Sequence, residues 1–367
     1  MRSMPITAGE EQSMPFYRKF PGFARILVLL MIGAILFGAM LFIVKRGQET
    51  VLLYLSDPGS NHEMIMKSSL SNSPEIFLSN FGFLMEMQPS PDGKWLALIT
   101  SDDDGNRKVV VTSIRSRKLE REYACNDANC SALQWKPDAS QLFFHISANG
   151  STGSILSMQI DDGLVSELSL NTTYNPVYFS ISADERYQVV YDENEKGFFI
   201  LEDWNKELKL IKSEDASAVV WLDNPDRILL VTTEHDEKIP VSHIIEFAPE
   251  TFELRTLKDS QISNMDFNNL VLHPNGEDLV FGCRPVQRTT SRQLCKSNLT
   301  SFIGQQLTNV QSRNHAGAVF DSSGTWLAYQ TYDLESSLSV PTIWVMNWET
   351  GTTIPVEEKA AMPAWVP

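Results

Sequence analysis

One stretch recurs in weaker form along most of this chain: Ser90-Pro91-Asp92-Gly93-Lys94-Trp95-Leu96-Ala97-Leu98-Ile99. It combines a tight Pro-Asp-Gly turn with a buried apolar strand after it. Positions equivalent to Pro91 stand at 137, 183, 225, 274, 322 and 367, which are 42 to 49 residues apart. A period in the forties with four short strands per unit is typical of a β-propeller. The sequence therefore predicts an all-β fold.

The two ends of the repeat region indicate how the ring closes. Residues 50–81 resemble the second to fourth strands of a repeat, and residues 361–367 resemble a lone first strand. Pairing of residues 50–81 with residues 361–367 would complete a blade and leave no unpaired sheet edge. We therefore expect a seven-bladed propeller. The alternative is a six-bladed ring with the N-terminal segment as a strap.

A charge-free apolar run precedes the repeats. Residues 26–44 contain nineteen uncharged residues, flanked by Arg25 on one side and by Lys45 and Arg46 on the other. This length spans a hydrocarbon core of about 30 Å, whereas a signal-peptide core is shorter. We predict a disordered cytoplasmic tail at residues 1–22, a single transmembrane helix at residues 23–46 and a propeller at residues 47–367.

The charge of the chain is unevenly distributed. The formal net charge is −16, and residues 1–46 hold six basic and two acidic residues, so the other residues carry −20. Such an acidic domain repels phosphate backbones. Nucleic acid is therefore excluded as a partner of the propeller.

The four cysteines form two local pairs, Cys125 with Cys130 and Cys283 with Cys295. An even number in two close pairs predicts two short-range disulfides, which persist in oxidising compartments. We expect Cys283 on the second strand of its blade and Cys295 on the third, with Cys125 and Cys130 in the turn between two blades. The alternative is four free buried thiols, while the spacing disfavours zinc. The numbers of basic residues on the two sides of the apolar run are similar, so the positive-inside rule favours one orientation of the helix only slightly. The disulfides favour a cytoplasmic N-terminus and an extracytoplasmic propeller.

The repeats resemble those of the TolB-type propellers, a WD-like repeat family. The matching residues are Ser90–Leu98, Trp135–Asp138, Ser323–Tyr329 and Pro363–Pro367. The resemblance covers roughly residues 50–367 and implies a TolB-like propeller in the periplasm of a bacterium, held at the inner membrane. It also implies a scaffold role in an envelope complex, although related propellers serve peptidases as gating domains.

No motif for catalysis is found in the sequence. The six histidines are scattered, and His273 occupies a turn position where serine is usual, which favours a structural role. Asp102–Asn106 has some likeness to a calcium loop, but its ligand spacing fails. We expect no catalytic, metal-binding or cofactor-binding residues and no cofactor.

Two hypotheses about function follow. The first is a non-catalytic protein-interaction scaffold, or accessory subunit, whose partners are envelope or inner-membrane proteins. The alternative is a funnel-site ligand sensor or a metal-dependent hydrolase or lactonase, with its site assembled from several blades.

Overall fold

The computed structural model describes residues 50–60, 62–148, 153–168, 176–216, 218–223, 226–236, 239–257, 265–285, 290–336 and 340–367. The predicted cytoplasmic tail and transmembrane helix, residues 1–22 and 23–46, lie outside these ranges. Within them, no helix has the length and apolar character needed to cross a bilayer.

The described chain forms seven four-stranded antiparallel sheets, which are the blades of a propeller. The prediction of seven blades is confirmed, and the six-bladed alternative is wrong. Blades 1 to 3, each from its inner to its outer strand, are β28 (Ala360–Val366), β1 (Val51–Ser56), β2 (Met64–Ser69), β3 (Glu75–Ser79); β4 (Phe83–Pro89), β5 (Trp95–Ser101), β6 (Arg107–Ser113), β7 (Leu119–Ala124); and β8 (Ala128–Trp135), β9 (Gln141–Ala148), β10 (Ser154–Gln159), β11 (Val165–Glu167).

The other blades follow in chain order. Blades 4 to 7 are β12 (Pro176–Ile181), β13 (Tyr187–Asp192), β14 (Gly197–Glu202), β15 (Lys206–Lys212); β16 (Ala218–Asp223), β17 (Asp226–Asp236), β18 (Ile239–Ala248), β19 (Glu253–Leu257); β20 (Met265–Leu272), β21 (Asp278–Pro285), β22 (Gln293–Asn298), β23 (Gln305–Gln306); and β24 (Arg313–Phe320), β25 (Trp326–Asp333), β26 (Pro341–Asn347), β27 (Thr353–Glu358).

The second strand of each blade is apolar on both sides because it lies between two neighbouring blades. All six residues of β13 are buried, whereas the outer strand β7 alternates between exposed and half-buried residues. The apolar clusters accordingly join adjacent blades: Ala97 and Val109 of blade 2 pack with Leu142 of blade 3. The core of this protein therefore lies between its blades.

The repeated turn is held by side chains within the motif. Ser90 Oγ donates to Asp92 Oδ1 at 2.7 Å and accepts the Trp95 N–H at 2.9 Å. Ser182 and Asp184 repeat this arrangement in blade 4, with Ser182 Oγ donating to Asp184 Oδ1 at 2.6 Å. These bonds fix the reversal between the inner and second strands.

Tryptophans near the ends of inner strands connect neighbouring blades. The indole N–H of Trp135 donates to the Gln88 carbonyl at 3.0 Å, and that of Trp365 donates to the Val319 carbonyl at 3.1 Å. Each bond joins a residue to the repeat before it, 46 or 47 positions away. Trp135 and Trp365 therefore each tie one blade to the blade before it.

The two ends of the described chain share blade 1. Strand β28 pairs with β1 in an antiparallel ladder, in which Val51 lies opposite Val366 and Ser56 lies opposite Ala360. Blade 1 thus takes its inner strand from the C-terminus and its other three strands from the region after residue 50.

The strand order gives the ring two different faces. The turn face carries the turns from first to second strands and the hairpins from third to fourth strands. The loop face carries the loops from second to third strands and the links between blades. The chain enters β1 at the turn face, because Val51 pairs with Val366 at the end of β28.

Both predicted disulfides are present, and all four cysteines are buried. Cys125 and Cys130 have Cα atoms 6.0 Å apart, and those of Cys283 and Cys295 are 5.9 Å apart. Cys283 lies on β21 and Cys295 on β22, as predicted. Cys130 lies within β8 and not in the turn before it, so the prediction that both cysteines of the first pair lie in a turn is wrong for this one.

Candidate functional site on the loop face

The inner strands surround the centre of the ring, where a funnel ligand would bind. Among the inner-strand side chains that the structure describes, three carry a formal charge: Glu86, Asp266 and Arg313. Glu86 contacts the neighbouring blade, Asp266 contacts the next strand of its own blade, and the Arg313 guanidinium lies over the Trp344 ring of its own blade.

Glu86 fastens blade 2 to blade 3. Its Oε1 accepts the backbone N–H of Leu133 at 2.8 Å, where β8 carries a bulge and Ala132 has a φ of 57°. Burial raises the pKa of Glu86 above its ordinary value, and backbone hydrogen bonds from Leu133 and Ala132 partly oppose that rise. This carboxylate is a structural acceptor between two blades.

Asp266 is the centre of an ion-pair cluster in blade 6. Its Oδ2 accepts from Arg284 Nε at 2.7 Å and from Arg292 Nη2 at 2.6 Å. Asp266 and Arg292 are about 13% and 14% exposed, whereas Arg284 is 43% exposed. Burial lowers the pKa of Arg292, and the charge of Asp266 opposes this effect. The cluster fixes both ends of the hairpin loop between β21 and β22.

The disulfide Cys283–Cys295 closes the base of the same hairpin. Cys283 lies opposite Gln293 in the ladder of β21 and β22, next to Arg284 and Arg292 in sequence. A covalent link at this point limits how far the two strands can separate. The predicted disulfide therefore helps to keep Arg284 and Arg292 close to each other.

Gln293 organises the link from blade 6 to blade 7. Its Nε2 is within hydrogen-bonding distance of the Ser291 hydroxyl and of the carbonyls of Val310 and Arg313, at 2.7 to 3.2 Å. Its Oε1 accepts from the Thr308 hydroxyl and the Val310 N–H, both at 3.1 Å. The side chain is 4% exposed. One buried amide therefore holds residues 308–313 in place.

A groove of about 350 Å³ lies beside this link, along blade 7. Arg313 stacks over the Trp344 ring at 5.6 Å, and Trp344 Nε1 donates to Thr331 Oγ1 at 3.2 Å. Tyr329 lines the groove, and burial raises its pKa to about 12. The groove thus combines aromatic side chains with a guanidinium group that is stacked on one of them.

Exposed apolar side chains surround the loop-face end of this groove. Val310, Leu334 and Val340 are 44%, 50% and 38% exposed. Leu334 N–H donates to the Ser312 carbonyl at 2.9 Å, which brings the second-to-third strand loop of blade 7 against the link that Gln293 holds. Val310, Leu334 and Val340, together with the groove, form what we name the blade 6–7 site.

The histidines singled out in the sequence have structural contacts. His273 Nδ1 accepts the Asn275 N–H at 3.0 Å, so its Nε2 carries the proton and donates to the Gly324 carbonyl at 2.9 Å. His145 lies 3.1 Å from Ser131 Oγ, and burial lowers its pKa to about 4. His273 therefore joins the turns of blades 6 and 7, in line with the structural role expected for it.

The acidic turn at residues 102–106 is a solvent-exposed hairpin. Asp102 Oδ1 accepts the N–H groups of Asp104 and Asn106 at 3.0 and 2.8 Å. Among the residues that the structure describes, no three His, Cys, Asp or Glu side chains are grouped so that they could hold a metal ion.

The residues that build the blade 6–7 site were missed by sequence reasoning. Gln293, Asp266 and Trp344 stand in no recognisable motif. One signal was available: Arg284, Arg288 and Arg292 occur within nine residues of an otherwise acidic domain. That spacing marks a basic hairpin, although it does not reveal the acidic partner in the neighbouring strand.

Comparison with solved structures places the fold among known propellers. TolB from Acinetobacter baumannii superposes with a TM-score of 0.51 at 14% identity, over 87% of this chain and 67% of that one. This chain is similar in fold to TolB. No protein-family model matches the sequence, and no curated protein matches it either.

Peptidases have similar propellers. A prolyl endopeptidase structure matches with a TM-score of 0.60 at 13% identity, over 85% of this chain and 50% of that chain. The β-propeller domain of the trilobed protease from Pyrococcus furiosus matches with a TM-score of 0.55 at 11% identity, over 75% of this chain and 85% of that one, and is described as having an open velcro topology. In the present chain, β28 and β1 are paired. At these identities the likeness concerns the fold alone.

Proposed function

We propose that this protein is a non-catalytic, membrane-anchored propeller that acts as an interaction scaffold or accessory subunit of an envelope or membrane complex. The partner protein docks at the blade 6–7 site. Residues 23–46 anchor the chain in a bacterial inner membrane, with the N-terminus in the cytoplasm and the propeller in the periplasm.

The observation that carries this proposal is the composition of the blade 6–7 site. Trp, Tyr and Arg are the residues that most often dominate binding at protein interfaces. Here half-buried Trp344 and Arg313 line one groove, with exposed Val310 and Leu334 beside it, and Tyr329, only 3% exposed, forms part of its wall. Because Gln293 and the Cys283–Cys295 disulfide hold the surroundings, a partner would meet a preorganised surface and lose little entropy in ordering it.

Two features support the proposed location. The disulfides Cys125–Cys130 and Cys283–Cys295 fit an oxidising compartment, and residues 26–44 form an uncharged apolar run long enough to span a bilayer. The similarity in fold to TolB is compatible with a scaffold role, and that to a prolyl endopeptidase keeps a hydrolase as the alternative.

Co-purification of the tagged full-length chain in mild detergent, followed by mass spectrometry, tests the proposal. We expect the same envelope or membrane protein at a fixed ratio. Changing both Val310 and Leu334 to Ser should abolish its recovery. The matched control is Ile354→Ser, because Ile354 is 47% exposed on the same blade but lies towards the turn face.

The alternative function makes the opposite prediction. In that case the wild-type chain and the variant would both purify without a partner and would retain a stoichiometric metal ion or small molecule. This result would contradict the scaffold. Such a result would assign the function to a ligand site in the funnel.

A further inference from the structure

The groove of the blade 6–7 site holds a single formal charge. Of the twelve described residues that line it, three have titratable side chains: Arg313, His315 and Tyr329. Burial lowers the pKa of His315 and raises the pKa of Tyr329 to about 12, so both are neutral at neutral pH and Arg313 is the one cation. The propeller around it is strongly acidic. An isolated cation in such a groove attracts an anionic group of a ligand.

No described carboxylate forms an ion pair with the guanidinium group of Arg313. The group lies over the Trp344 ring, 5.6 Å from its centroid, which holds it in place. Asp333 lies opposite Arg313 in the ladder of β24 and β25, but its Oδ1 accepts the Glu335 N–H at 2.9 Å. A guanidinium group offers a planar fork of donors that matches the two oxygens of a carboxylate. Arg313 is therefore a positioned binding site for a carboxylate.

Apolar surface adjoins this cation. Trp344, Met346 and Leu307 line the groove and pack in the apolar cluster between blades 6 and 7. Met346 is 4% exposed and Tyr329 is 3% exposed, so the floor of the groove is largely enclosed. Its volume of about 350 Å³ lies near the lower limit of the range of about 300–1,000 Å³ for ligand pockets. The groove therefore fits a small group that joins a carboxylate to an apolar side chain.

The end of a polypeptide chain satisfies both requirements. A C-terminal residue carries its free carboxylate and its side chain on one α-carbon, and the chain leaves the groove only once. In an extended internal segment, an acidic and an apolar side chain on the same side are two residues, about 7 Å, apart. Such a segment also has to enter the groove and leave it again. The small volume of the groove therefore favours a chain end.

We propose that the partner protein docks through its C-terminal residue. The carboxylate of this residue binds the guanidinium group of Arg313, and its apolar side chain packs against Trp344 and Met346. Capture of a free C-terminal carboxylate is a recurring mode of peptide recognition. This inference rests on the proposed function, because it names the part of the partner that enters the blade 6–7 site.

The residues at the loop-face end of the groove indicate what precedes this C-terminus. Val310 and Leu334 are 44% and 50% exposed there, so they offer a contact to an apolar side chain near the end of the partner. Asp333 and Glu335 flank Leu334 in sequence, and Glu335 is exposed. Like charges repel each other at an interface. The residues just before the C-terminus should therefore be neutral or basic.

The test measures retention of the full-length chain, in mild detergent, on pools of short peptides immobilised through their N-termini. Every peptide ends in an aliphatic or aromatic residue, and the preceding positions vary among neutral and basic residues. One pool has free C-terminal carboxylates and the second has C-terminal amides. A third pool is also amidated and carries a glutamate two positions before its apolar end. Arg313→Gln removes the cation of the groove. Arg115→Gln is the matched control, because Arg115 is an exposed residue between β6 and β7 in blade 2.

We expect the free-acid pool to bind the chain roughly 30-fold more tightly than the amide pool, as for removal of one partner of a buried charge pair. Arg313→Gln should abolish this difference, and Arg115→Gln should leave it unchanged. Arg313→Lys keeps the charge but loses the planar fork, so it should restore part of the difference. Equal binding of the first two pools, or a difference that persists in Arg313→Gln, overturns the inference. Tightest binding of the third pool overturns it too, since an internal acidic side chain would then be the group that is bound.

The partner recovered by co-purification separates this inference from the proposed function. Extending its C-terminus by a short Gly-Ser segment should abolish its recovery with the full-length chain. Recovery that is unchanged by the extension contradicts docking through the C-terminus and leaves the scaffold intact. Recovery of no partner at all contradicts the scaffold, whatever the peptide pools show.

Discussion

Replacing Gln293 with Ala should destabilise the link between blades 6 and 7 more than any nearby polar truncation. The substitution removes hydrogen bonds to the Val310 N–H and carbonyl, the Arg313 carbonyl and the Thr308 hydroxyl. The Val310 carbonyl keeps the Arg313 N–H and the Thr308 hydroxyl keeps the Leu294 N–H, so the larger cost falls on the Val310 N–H and the Arg313 carbonyl. Each buried polar group left unpaired costs about 1–3 kcal/mol, and water entering the vacated space recovers part of this. We expect a loss of about 2–4 kcal/mol in unfolding free energy.

Hydrogen exchange and thermal melting measure this loss. A local change of about 2–4 kcal/mol corresponds to exchange of the Val310 amide that is roughly 30 to 1,000 times faster. For a domain of this size the melting temperature should fall by about 3–6 °C. Gln306→Ala is the matched control, since Gln306 is exposed and its side chain makes one hydrogen bond, to the Thr308 carbonyl at 2.7 Å. Equal effects of the two substitutions would refute the assignment of Gln293 as the organising residue.

Three further predictions concern the covalent link, a buried acid and a tight turn. Changing Cys283 and Cys295 together to Ala should lower the free energy of unfolding in urea by about 3 kcal/mol and should weaken recovery of the partner. An unchanged free energy of unfolding would contradict the role of this disulfide in holding β21 and β22 together. Burial raises the pKa of Glu86 above its ordinary value of 4.5, so the contribution of this group to stability is present below that value and is lost as the pH rises through the raised pKa. Glu86→Gln should flatten the part of the pH dependence that lies above pH 4.5, and a profile parallel to that of the unsubstituted protein would contradict this. Gly324→Ala places a Cβ 2.5 Å from the His273 ring at a φ of 73° and should lower the melting temperature clearly more than Gly105→Ala, which has φ 85° and open space.

The architecture could be predicted from the sequence because its determinants are local and repeated. The Ser90–Asp92 and Ser182–Asp184 turns use side chains two residues apart, so the same short pattern marks each blade. The cysteine pairs are likewise close in sequence. The location of Cys130 was missed because β8 begins earlier than the turn residues around Asn126 indicate.

The blade 6–7 site could not be predicted in the same way. Gln293 contacts residues 15 to 20 positions away, and Asp266 binds arginines 18 and 26 positions away. These contacts depend on strand register and on how two blades pack, which a single sequence leaves open.

The docking of a partner at the blade 6–7 site is tested most directly by photo-crosslinking in living cells. A photoreactive amino acid placed at Leu334 should give one discrete adduct with a single envelope or membrane protein, and the same probe at Ile354 should give none. Adding Val310→Ser to the chain that carries the photoreactive residue at position 334 should lower the yield of this adduct. Adducts of equal yield at both positions, or only at 354, would contradict a partner site on the loop face of blades 6 and 7.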